Sequence, residues 1–205
     1  MRMIIAIGCL LSCATLTIAG EDSEKPSRPD ERSLQFRGEQ FELAFVHEDG
    51  DGAQKQLINE YVPPGQTLDR WTKLVGVYQF PNQHDHRAMA GGLVNVLKQR
   101  HPTANYAIHS SEDGKRTMVD FLVWNTDPRL AEFNIFIYEQ AADGRGVVAQ
   151  QVALRGYGEQ TAEFLVELKG LRPRMLRDAG DFTFPPIRST AVSAPAADQP
   201  STRRQ

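Results

Sequence analysis

The chain opens into strand-like alternation at residues 41–47, where Phe41, Leu43 and Phe45 fall on one side. EDGDG and then AQKQLINEYV follow, giving a hairpin over 41–62 whose glycines supply the positive φ of a tight turn. VPPGQT breaks the chain, and Thr67 is placed to cap a short helix, LDRWTKL, ahead of a strand, VGVYQF. The period then changes: Met89, Leu93, Val96 and Leu97 recur at helical spacing over 86–100, and Pro102 ends that run. Gly91 and Gly92, adjacent in an otherwise amphipathic helix, point to close packing on a sheet, since each weakens a helix by about 1 kcal/mol against alanine.

Alternation returns in four segments. NYAIHS and RTMVDFLVW meet around Asp113-Gly114, and EFNIFIYEQ and VVAQQVALR meet around Asp143-Gly144. A two-residue turn at the first dipeptide pairs Ile108 with Val119. One at the second pairs Ile135 with Val152 and Phe133 with Leu154, so both registers keep apolar residues together. TAEFLVELKG reads as a second helix with Phe164, Leu165 and Leu168 inward and Gly170 as its stop, and Pro173 opens a further short helical piece. Strands grouped apart from helices predict an α+β fold. The expected architecture is a single antiparallel sheet with hairpins at 41–62, 105–124 and 133–155, covered on a face by helices near 86–100 and 159–170.

The ends follow other rules. Arg2, the apolar run IIAIGCLLSCATLTIA and small residues at Thr17-Ile18-Ala19 match a secretory signal over 1–19. The run is short and polar for a membrane span, so no transmembrane helix is expected in the mature chain. Residues 20–37 are charged and read as a flexible linker, 38–184 as one α+β domain, and 185–205, rich in Pro, Ala and Ser, as a disordered tail. Both cysteines, Cys9 and Cys13, lie in the signal. Cleavage after Ala19 leaves a mature chain without cysteine, whose stability rests on its core. Leu10-Leu11-Ser12-Cys13 also resembles a lipobox, with Cys13 as a lipid anchor, although the chain stays apolar after it. The expected location is a bacterial cell envelope, periplasmic or secreted.

A formal net charge of -3 argues against nucleic acid as a partner. Arg172, Arg174 and Arg177 form one basic cluster, read most simply as a solvated helix face.

At residues 60–77 the chain resembles a group of uncharacterised exported bacterial proteins. These share a tyrosine, a proline-glycine turn with a following threonine, and Trp-Thr before an apolar strand. Tyr61, Pro64, Gly65, Thr67, Trp71 and Thr72 carry the likeness. It spans under twenty residues and implies no activity. The element order is also similar to the α-β-α sandwich of the PsbP and Mog1 type, which implies an accessory or binding role at most.

Candidate chemistry is sparse. His84 and His86 flank Asp85, and an extended His-x-His pair places two ligands on one side. With His109 as third ligand it would make a metal site or a metal-dependent hydrolase, and His47 also stands at a strand end. The plainer reading makes Asp85 a helix cap. EDGDG fails as an EF-hand, because Gly52 at its glycine position puts His47 and Ile58 at two ligand positions. Asp120 interrupts an apolar strand and shares a face with Met118, Leu122 and Trp124, with His109 diagonal to it. Tyr138 and Gln151 are expected on the same face, giving a His-Asp-Tyr patch, or else a polar, water-facing side of the sheet. No phosphate loop, nucleophile elbow or zinc-protease motif is present, and no cofactor is expected. The reading is a non-enzymatic envelope module for an unknown envelope protein or small ligand, with Tyr61, Trp71 and Trp124 as further contact candidates.

Overall fold

The computed structural model describes residues 32–126 and 129–188. The expected signal, both cysteines, most of the linker and the tail from residue 189 lie outside the described residues. Among the described residues no helix is long and apolar enough to cross a membrane.

The elements are β1 (Ser33–Phe36), β2 (Glu39–Asp49), β3 (Gln56–Val62), β4 (Lys73–Phe80), α1 (His86–Arg100), β5 (Asn105–Ser110), β6 (Arg116–Thr126), β7 (Arg129–Gln140), β8 (Val147–Tyr157) and α2 (Gln160–Asp181). They form an α+β fold with one eight-stranded sheet ordered β1-β2-β3-β4-β8-β7-β6-β5. Every neighbouring pair is antiparallel. The order has a simple cause. α1 carries the chain from β4 to the far edge, and short turns then bring β5 through β8 back until β8 meets β4.

The two helices lie on opposite faces, not on one. Strand side chains alternate between faces, and the apolar ones sort into separate cores. Val119, Phe121, Val123, Phe136 and Ala149 pack with Leu93, Val94 and Leu97 of α1. Phe133, Ile135, Ile137, Val152 and Leu154 pack with Leu168, Met175 and Ala179 of α2. The sheet also curls around α2. Arg37, just after β1, places Nε 3.0 Å from Asp178, while Arg116 of β6 donates to the Gly180 carbonyl at 2.8 Å. The β1 end of the sheet and β6, next to the other end, thus reach the same helix end, and a bulge between Leu43 and Phe45 helps bend β2.

Both Asp-Gly hairpins keep the expected pairs: Ile108 with Val119, Ile135 with Val152, and Phe133 with Leu154. Their turns hold four residues rather than two, closed by Ser111 N–H to Arg116 and Ala141 N–H to Gly146. Each turn is centred on the expected dipeptide, so the register is unchanged. Gly114 and Gly144 take the left-handed conformation at φ 68° and 72°.

Other expectations fail for identifiable reasons. Residues 67–72 form no helix. Thr67 and Arg70 exchange backbone hydrogen bonds in a tight turn, and Trp71 is pulled into a small core with Val62, Leu74 and Ala153. Gly170 does not stop α2. It and Pro173 lie on the exposed side of the helix, while Leu168, Met175 and Ala179 hold the buried stripe. Gly91 and Gly92 do not mark close packing, because a Cβ on either would meet nothing within 4 Å. β1 falls inside the stretch read as linker.

Candidate functional site at the β5 edge

Asp120 is the focus. It is 2% exposed, on the α2 face of β6. Its carboxylate accepts from Arg172 through a two-pronged contact, Nε at 2.6 Å and Nη2 at 2.9 Å, and lies 3.0 Å from His109 Nε2. The fork is strong because both partners are ionised and planar. Helix continuity through Gly170 is what delivers Arg172, since Leu165, Leu168, Lys169 and Arg172 share a helix face.

These groups wall a cleft of about 250 Å³ between α2 and the β5–β6 edge. Leu122, Phe133, Leu165 and Leu168 form its apolar walls, and Asp120, Lys169 and Arg172 its charged side. Asn105 and Tyr106 border it at the sheet edge. Asp120 cancels one of the two lining cations, so the side chains that line the cleft carry one net positive charge. Arg172 holds Asp120 with Nε and Nη2, leaving Nη1 outside the fork.

The His109–Asp120 contact matches the sequence-based expectation, but the third member does not. Asp120 pairs with Ile135 across β6 and β7, and Thr117 pairs with Tyr138. Tyr138 therefore belongs to the opposite, α1-facing side, as does Gln151 opposite Phe136. The Tyr138 hydroxyl is buried without a hydrogen-bond partner, and burial pushes its pKa well above the ordinary value. The water-facing reading of Asp120 fails too. Arg174 and Arg177 are exposed as a solvated helix face requires, whereas Arg172 folds back onto the sheet while its side chain stays 41% exposed.

The histidines do not meet. Asp85 caps α1, accepting from the Arg87 and Ala88 N–H groups at 2.9 Å each. His84 lies before the helix and is exposed. His86 is its first residue and contacts Thr117 at 3.2 Å on the α1 face, whereas His109 meets Asp120 on the α2 face. Among the described residues no group of three or more His, Cys, Asp or Glu is placed to hold a metal ion.

The contact aromatics divide. Tyr61 is fully buried against Val75, and Trp71 is 5% exposed, whereas Trp124 is 39% exposed. Trp71 lies under Arg155, whose guanidinium carbon sits 3.7 Å from the ring centroid. Arg155 Nε also donates to Glu132 at 2.8 Å. From Glu132 a buried polar row continues through Asn134 and Gln151 to Tyr78. Sequence reading missed this row and the role of Lys169 and Arg172. The signal for Arg172 was its helical spacing from Leu165 and Leu168, hidden by treating Gly170 as a stop. The row needs the β7–β8 and β4–β8 registers together, and no local pattern marks it.

No curated protein and no solved structure matches the chain. A protein-family model does match, over residues 29–184, and the chain belongs to that family, which is uncharacterised.

Proposed function

We propose that the protein is an exported, non-enzymatic binding module that takes a small amphipathic anion, such as a monocarboxylate with an apolar body, into the cleft beside Asp120. One observation carries the reading: apolar walls from Leu122, Phe133, Leu165 and Leu168 lie beside the cations Lys169 and Arg172. Apolar lining with a few convergent polar groups is the ordinary make-up of a small-ligand site. Asp120 serves to fix Arg172, and the carboxylate's hydrogen bonds to Arg172 and His109 favour a positioning role over proton transfer. Arg2 and the apolar run after it support export, as does the likeness around Trp71 to exported proteins. An intact-mass measurement placing the mature N-terminus at Gly20 tests that part.

Calorimetric titration with octanoate, and with octyltrimethylammonium as its cationic counterpart, tests the site. Saturable binding of octanoate alone is expected. Lys169→Ala should weaken it by about tenfold, the effect of losing one charge-assisted contact. Equal binding of both amphiphiles, or none of octanoate, would overturn the reading.

A further inference from the structure

The free edge of β5 is unusual for what it lacks. Natural edge strands are blunted by lysine, proline, bulges or covering segments. β5 reads NYAIHS, has none of these residues, and pairs with β6 over six unbroken positions. Its one basic side chain, His109, is turned onto Asp120. Tyr106 and Ile108 stand 40% and 50% exposed, two of the four large apolar side chains so exposed among the described residues. The opposite edge differs: β1 has four residues, and Phe36 at its end is buried against Phe182.

The outward backbone groups can be identified. Ser111 N–H bonds the Arg116 carbonyl directly across the β5–β6 pair. Hydrogen-bonded and non-bonded positions alternate in an antiparallel ladder, so the odd residues of β5 face β6. Tyr106, Ile108 and Ser110 then turn their N–H and C=O groups to the outside.

We infer that β5 pairs antiparallel with β5 of a second copy about a two-fold axis at Ala107, joining two sheets into one. This register sets outward residue against outward residue, as the ladder demands. It places Tyr106 opposite Ile108 of the second copy, and Ile108 opposite its Tyr106. Aromatic against β-branched is a favourable cross-strand pair, and burying both removes the exposed apolar pair from water. Asn105 falls opposite His109 of the second copy, so no like charges of β5 itself face each other, and the nearby cation Lys98 of α1 sits 5.6 Å over the Tyr106 ring. An isologous contact of this kind is self-complementary and closes at two copies.

Mass measured by light scattering across a concentration series tests the proposal on the full chain. The wild-type protein is expected to reach twice the chain mass as concentration rises. Ile108→Pro removes an outward donor and no β5–β6 bond, so it should give a monomer with an unchanged circular dichroism spectrum. Ile108→Lys, which keeps the donor but adds a charge at the pair, should also give a monomer and covers the case in which the proline variant misfolds. Ala107→Cys, with Cys9 and Cys13 changed to serine, should form a disulfide-linked dimer on mild oxidation, because the two Ala107 positions become a close, non-hydrogen-bonded pair. A wild-type monomer at every concentration would overturn the inference. So would a dimer that survives both Ile108 variants, or one that Ala107→Cys fails to link.

Discussion

Asp85 and Asp120 are both aspartates beside histidine, and their surroundings give them different work. Asp85 is exposed, and the N–H groups of Ala88 and Arg87 hold its carboxyl below the ordinary value of 3.8. A depressed folded-state pKa contributes stability above the unfolded value and loses it as pH falls through the folded one. Asp85→Ala should therefore lower the melting temperature by a few degrees at neutral pH, and the gap to wild type should close below pH ~4. Thermal melts across pH measure this. Asp120 is buried and Arg172 is not, so the two halves of their pair are unequal. Arg172→Ala leaves the buried carboxylate with His109 but without its cation and should cost about 3–5 kcal/mol. Asp120→Ala frees a guanidinium that can turn to water and should cost less, about 1–3 kcal/mol. Denaturant unfolding of the two variants decides the order. The cap was legible in the sequence because capping is local. The Arg172 contact was not, because it spans 52 positions along the chain.

At the scale of elements, the strands were the most readable part. Alternation and the Asp-Gly dipeptides specify the β5–β6 and β7–β8 registers, since a slip by one residue would turn each apolar set to the wrong face. The register between β6 and β7 has no such marker, and its parity sends Tyr138 away from Asp120. α2 behaves in the opposite way: glycine and proline signal a boundary locally, while the stripe through Leu168, Met175 and Ala179 continues beneath them. Propensity yields to packing where the weak residues face water. Gly146 is different, because φ is 78° and a Cβ there would overlap the Phe80 carbonyl and Pro81. Gly146→Ala should destabilise the protein by about 2 kcal/mol or more, through backbone strain and overpacking together. Equilibrium unfolding measures it, and a neutral substitution would show that the β7–β8 turn is not held as described.

Over the whole molecule, the sheet separates two chemistries. The α1 face buries Tyr138 and the polar row through Tyr78. The α2 face buries Tyr61 and carries the cleft. Burial holds the hydroxyl pKa of Tyr61, Tyr78 and Tyr138 above the ordinary 10.0, with Glu60 adding to the rise at Tyr78. A raised folded-state pKa for an acid favours the folded protein below the unfolded value and makes that contribution disappear as pH rises through the folded one. In an alkaline absorbance titration these three should ionise only as the protein unfolds, in step with loss of circular dichroism. The composition and pattern forecast the α+β class, yet not the placement of helices on both faces, because amphipathicity fixes which side of a helix is buried and not which side of the sheet it chooses. We propose the cleft between α2 and β5–β6 as the ligand site. Mapping amide chemical-shift changes on adding octanoate tests it most directly. Changes are expected to centre on Asn105, Leu122, Leu165, Lys169 and Arg172. Changes centred instead on Tyr78 and the α1 face, or none at saturating octanoate, would contradict it.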